Sequence, residues 1–147
     1  MDTLTSLDWQ EHIDTGRKYL QTACKGRDRP AVFNNVLIYH LAAMAIEKML
    51  VGVWQYHRRM PGDHTLDGLV DGLAGFCPLG RDLADGIKHI GRFDDMCPLV
   101  PSRQCTPDDM EIRAMLAVGK QVVAFVQRET GRTDDKLGID CLEKSPV

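Results

Sequence analysis

Apolar positions recur at helical spacing in four stretches of this chain and fill a fifth almost without interruption. In residues 8–24 they fall at Trp9, Ile13, Leu20 and Cys24, with Gly16 on the same line. Glu11, Arg17 and Lys18 mark the opposite, polar face. Residues 25–30 form a polar turn in which Gly26 is placed to stop this helix. A second helix opens after Pro30 and runs to about His57. Its segment 36–54 is apolar nearly all round, as expected of the most buried element of a bundle. Arg58 and Arg59 come directly after it, with positive charge where the helix dipole favours it.

Pro61-Gly62-Asp63 is a turn by composition, and Asp63 or Thr65 is suited to cap the next helix. Leu66, Leu69, Val70 and Leu73 mark this short third helix, weakened by Gly68 and Gly72. Leu83, Ile87 and Ile90 mark a fourth, expected to end near Gly91 and to be followed by an irregular segment over 94–105. Thr106-Pro107-Asp108-Asp109 reads as a helix start, with Thr106 as the cap and Pro107 at the first helical position. Ile112, Met115, Leu116, Val122, Val123 and Val126 supply the buried face of this last helix. No repeat and no convincing strand appears. The expected fold is all-α, an antiparallel up-and-down bundle of about five helices over residues 1–130, with a loose tail over 131–147.

The length of 147 residues suits one domain with one core, and 44% hydrophobic residues argue against disorder. A net charge of −3 disfavours a protein that coats nucleic acid through a basic face. The 36–54 segment is apolar enough to suggest a membrane span. However, Glu47 and Lys48 would each cost roughly 2.5–3.5 kcal/mol near a bilayer centre, so a buried core helix is expected and no membrane contact. Asp2 and Asp8 stand where a signal peptide would carry basic residues, and a cytoplasmic protein is expected. The five cysteines lack a C-x-x-C pair and read as reduced thiols. His57, His64 and His89 lack zinc spacing, Glu47 has no histidine three residues on, and no glycine loop fits a phosphate cradle. No metal, cofactor or catalytic residue is expected.

What remains is a polar line on the second helix, with His40 and Glu47 on one face and Lys48 and Gln55 extending it. Three short motifs stand in order along the chain. They are Leu41-Ala42-Ala43-Met44-Ala45-Ile46-Glu47-Lys48, then His64-Thr65-Leu66-Asp67-Gly68-Leu69, then Arg92-Phe93-Asp94. In this the chain resembles the HEPN family of helical domains. Its members carry an alanine-rich helix ending in Glu-Lys, a His-x-Leu-x-x-Leu helix start and an Arg-Tyr-Pro-like segment. The resemblance spans roughly residues 9–126.

It implies a homodimeric helical bundle, often paired with a small nucleotidyltransferase in a toxin–antitoxin-like arrangement or binding a nucleotide. Members that cut RNA carry an arginine followed within a few residues by a histidine, and no histidine follows Arg92 here. Arg59 and His64 have a similar separation, but His64 matches the helix-start position instead. The expectation is therefore a non-catalytic binding or partner module. The alternatives are a divergent metal-independent ribonuclease using Arg92 with His89, and a purely structural interaction domain. Lys48, His64 and Arg92 are the candidate ligand-binding residues, by charge and by family position, with His40, Glu47 and Asp94 supporting them. Each also has a plainer reading: Glu47 and Lys48 as a solvated pair, His64 as a turn residue, and Arg92 consumed by Asp94 and helix-end carbonyls.

Overall fold

Helices account for every regular element in the computed structural model, which describes the backbone of residues 2–96 and 106–131 and the side chains of 9–93 and 106–131. Five lie among the described residues: α1 (Asp2–Gly26), α2 (Asn35–Tyr56), α3 (Leu66–Leu73), α4 (Arg81–Met96) and α5 (Asp109–Thr130). The all-α bundle of five helices is therefore as expected, and no strand occurs among the described residues. Beyond Gly131 the expected tail lies outside the described residues, as do positions 97–105.

Among the described residues α2 is the one helix that touches all four others. Ile46, Met49 and Leu50 are fully buried on it, each contributing about 1.5–3 kcal/mol of transfer free energy. Within 36–54 only Leu37, His40 and Met44 are exposed. α2 is also the one described helix long and apolar enough to cross a membrane, and 56% of its most apolar window is buried inside the bundle. That burial is what a core helix requires.

α1 lies antiparallel on α2 at close range. A Cβ on Gly16 would meet the Ala45 carbonyl oxygen at 2.8 Å, and one on Gly52 would meet the Trp9 carbonyl oxygen at 3.0 Å. Arg17, expected on the polar face of α1, is instead 3% exposed. It stands four residues after Ile13 and three before Leu20, on the buried stripe itself. Cys24, also buried on α1, is disulfide-bonded. This corrects the reading of all the cysteines as reduced thiols, since spacing along a chain does not reveal pairing in space. Cys77 is a free, buried thiol.

Asn34 caps α2, its side chain accepting from the Leu37 amide at 2.9 Å. At the other end the Arg59 amide bonds to the Trp54 carbonyl at 3.0 Å and the Arg58 amide to the Gln55 carbonyl at 2.9 Å. This is the Schellman pattern, with Arg58 in the left-handed position at φ 60°. The chain then turns back along α2, so that His64 and Thr65 lie near Glu47 while Trp54 meets Leu69 farther along. α3 consequently runs in the same direction as α2. The pairs α1–α2, α3–α4 and α4–α5 alternate in direction.

Two boundaries differ from expectation. α4 continues past Gly91 to Met96. Gly91 is a point of close approach, since a Cβ there would sit 3.3 Å from Leu66 Cβ. α5 is capped by Asp108 rather than Thr106, because Asp108 and Glu111 form a reciprocal capping box. Pro107 consequently precedes the helix, and its carbonyl accepts a hydrogen bond from the Asn35 side chain at 2.9 Å.

Candidate functional site

α2 presents His40, Met44 and Glu47 towards the start of α3. A cleft of about 340 Å³ opens between them and is closed by Gly91 of α4. Tyr39 forms its floor, its hydroxyl donating to the Ile90 carbonyl at 3.1 Å and its ring packed 5.2 Å from Phe93. The opposite wall is the first turn of α3. There the Thr65 side chain accepts from the Gly68 amide at 3.0 Å and caps the helix. The Asp63 carboxylate accepts from the Thr65 amide at 2.9 Å. Hydrogen bonds from the Thr65 amide and hydroxyl hold the Asp63 carboxyl below its ordinary value, and nearby His64 adds to the effect.

The cleft is rich in acceptors. Glu47 and Asp67 bring carboxylates, and no lysine or arginine among the described residues lines it. His64 Nδ1 stands 4.0 Å from Glu47 Oε2 with both side chains substantially exposed, a pairing of little energetic weight. Asp67 Oδ1 is buried and has no hydrogen-bond partner among the described residues, although its carboxylate lies close enough to Lys88 to help hold that ammonium charged. A buried acceptor left unsatisfied costs on the order of 1–3 kcal/mol, so it favours a donor arriving from the cleft.

Of the residues singled out from sequence, His40, Glu47 and His64 meet in this cleft. Lys48 and Arg92 do not line it. Lys48 is half-buried beside Glu47 on α2, and Gln55, the last member of the polar line, is buried with Oε1 lacking a hydrogen-bond partner among the described residues. The line on α2 is therefore not one surface. Arg92 was expected at a helix end, but α4 runs on to Met96 and leaves it exposed within the helix. There it lies close enough to Lys88 to oppose that ammonium's charge, while Lys88 pairs with Asp71 at 2.6 Å. The Asp94 side chain lies outside the described residues. Arg59, at the end of α2, covers the Phe76 ring at 4.6 Å.

Sequence reasoning missed Asp67, which stands inside the second motif but carries no spacing signal of its own. It also missed a second convergence at the far end of α2. His57 Nε2 and Glu129 Oε1 share a hydrogen bond at 2.9 Å across 72 positions of sequence. Cys77 joins them, one ligand atom from each residue lying within 4.8 Å of the others. Burial pushes the Cys77 thiol up to about 12, with its hydrogen bond to Glu129 and that carboxylate's charge adding to the effect.

No protein-family model, no curated protein and no solved structure matches the chain.

Proposed function

We propose that this chain is a non-catalytic, HEPN-like binding module that receives its ligand in the cleft between α2 and α3. The observation that carries the reading is Asp67 Oδ1, a buried acceptor without a hydrogen-bond partner among the described residues, on the wall of an open cleft. Together with Glu47, and with His40 and His64 at the rim, it suits a ligand that presents N–H donors. Tyr39, Ala43 and Met44 offer such a ligand an apolar surface. A nucleobase combines a flat apolar body with amino and ring N–H donors, so the base of a nucleotide fits the cleft's chemistry better than its phosphate does.

Calorimetric titration with matched nucleosides and nucleotides tests this. Nucleoside and nucleotide bind with similar affinity, and Asp67→Asn or Glu47→Gln weakens both about tenfold or more, the loss of one charge-assisted contact of roughly 1.5–3 kcal/mol. Binding of nucleotides alone, abolished by Arg92→Ala or Lys48→Ala, would instead support a phosphate site built on Lys48, His64 and Arg92. No heat with any compound removes the nucleotide reading.

The resemblance also supports a homodimer and a nucleotidyltransferase partner as parts of this proposal. Leu37 and Met44, 39% and 40% exposed, share one face of α2 with His40 and give a dimer an apolar patch beside the cleft. A monomer mass by light scattering at micromolar concentration would exclude the homodimer.

A further inference from the structure

We infer that His57, Cys77 and Glu129 form a binding site for a divalent, zinc-class cation, separate from the α2–α3 cleft. The three residues come from three elements: the C-cap of α2, the turn after α3 and the last turn of α5. They offer one nitrogen, one sulfur and one oxygen donor, a set suited to zinc rather than to calcium or magnesium, which take oxygen ligands alone.

The charges balance. A thiolate and a carboxylate cancel the two positive charges of the ion, and a neutral imidazole adds none, so the occupied site stays neutral at the edge of the core. Metal binding would release the thiol proton to solvent and replace the His57–Glu129 hydrogen bond with two bonds to the ion.

The geometry is close to what coordination requires. Bond lengths of 2.0–2.3 Å around a tetrahedral ion place ligand atoms about 3.3–3.8 Å apart. The His57–Glu129 separation of 2.9 Å lies about 0.4 Å below that range, and the widest separation, at most 4.8 Å, lies no more than about 1 Å above it. The necessary adjustment falls mainly on Glu129, whose side chain is 33% exposed. That exposure also leaves a fourth position open to water, the arrangement of three protein ligands plus solvent. Cys77 is fixed by burial. The His57 ring is held between Tyr56 and Phe76, both edge-on at 5.2 and 5.3 Å. Aromatic walls on a ligating imidazole limit its rotation and hold its nitrogen towards Glu129.

Cobalt(II) titration of the full chain, prepared free of metal, tests the site through a thiolate-to-cobalt charge-transfer band in the near ultraviolet. The band appears with one equivalent of cobalt and is displaced by zinc(II). Cys77→Ser abolishes it, whereas Cys97→Ser, Cys105→Ser and Cys141→Ser, made singly, retain it. His57→Gln and Glu129→Gln keep the thiol and weaken zinc binding by about 10–100-fold or more, measured by competition with a chromophoric chelator. Circular dichroism establishes that each variant is folded. Absence of the band in the wild-type chain overturns the proposal, and so does a band that survives in folded Cys77→Ser. Unchanged zinc affinity in both His57→Gln and Glu129→Gln also overturns it.

Discussion

The indole of Trp54 occupies the space that a Cβ on Gly72 would fill. From there its Nε1 donates to the Leu69 carbonyl at 3.3 Å and its ring meets Phe76 edge-on at 5.0 Å. A glycine that weakens α3 by propensity is thus the condition for α3 to lie against α2. Gly72→Ala is expected to destabilise the fold by about 1–3 kcal/mol, the usual cost of overpacking, despite the better helix former it introduces. Urea denaturation monitored by circular dichroism measures it, and a variant as stable as the parent would show that Trp54 has another place to go.

Arg58 adopts the left-handed conformation that closes α2, at φ 60°. Glycine holds that position without steric cost. Arg58→Gly is expected to stabilise the protein by on the order of 0.5–1 kcal/mol, the left-handed cost removed less the added entropy of an unfolded glycine. A rise in thermal midpoint is the readout.

The turn before α3 carries the clearest pH dependence. Asp63 titrates below its ordinary 3.8 in the folded chain because Thr65 donates to its carboxylate. Its stabilising contribution is therefore complete above that ordinary value and is lost as pH falls through the lowered one. Asp63→Asn should remove that contribution at neutral pH, leave acid pH little changed, and so flatten the acid limb of the stability profile. Thr65→Ala, which removes the cap, should cost about 1 kcal/mol at neutral pH. Thermal midpoints measured from neutral to acid pH separate the two effects.

Structured and single-stranded RNA are expected to remain intact when incubated with the protein in the absence of metal. Cleavage of this kind needs a group to deprotonate the 2′-hydroxyl and another to stabilise charge on the phosphorus centre. His89 and Arg92 are both exposed on α4 and neither lines the cleft. Cleavage lost in both His89→Ala and Arg92→Ala would reverse this reading and establish the ribonuclease alternative.

Much of the bundle was legible in the chain, because helical periodicity directly records which side of each helix is buried. Leu66, Leu69, Val70 and Leu73 define α3, and Thr65 caps it, as their spacing implies. Arg17 was misplaced on the polar face by its charge, although its position between Ile13 and Leu20 lies on the buried stripe. The α4 boundary was hidden because Gly91 serves close packing against Leu66 and does not stop the helix. The cleft was half visible. Periodicity placed His40 and Glu47 on one face of α2, but only the backward course of the chain after His57 brings Asp67 to them. His57, Cys77 and Glu129 leave no local spacing, since contact across 72 positions depends on tertiary packing.

The return segment between α2 and α3 is secured at both ends and, between them, by the buried Pro61. Backbone hydrogen bonds fasten it up to Arg59, and the Asp63–Thr65 turn fastens it again before α3. Between them Met60 is 68% exposed and Gly62 has open space where a side chain would stand. Gly62 is thus a natural port for added sequence. A short peptide inserted there should leave the melting temperature nearly unchanged, because both fastenings close without it. It would emerge two residues from His64, at the mouth of the cleft, so the bundle can be obstructed at one surface without being weakened as a fold.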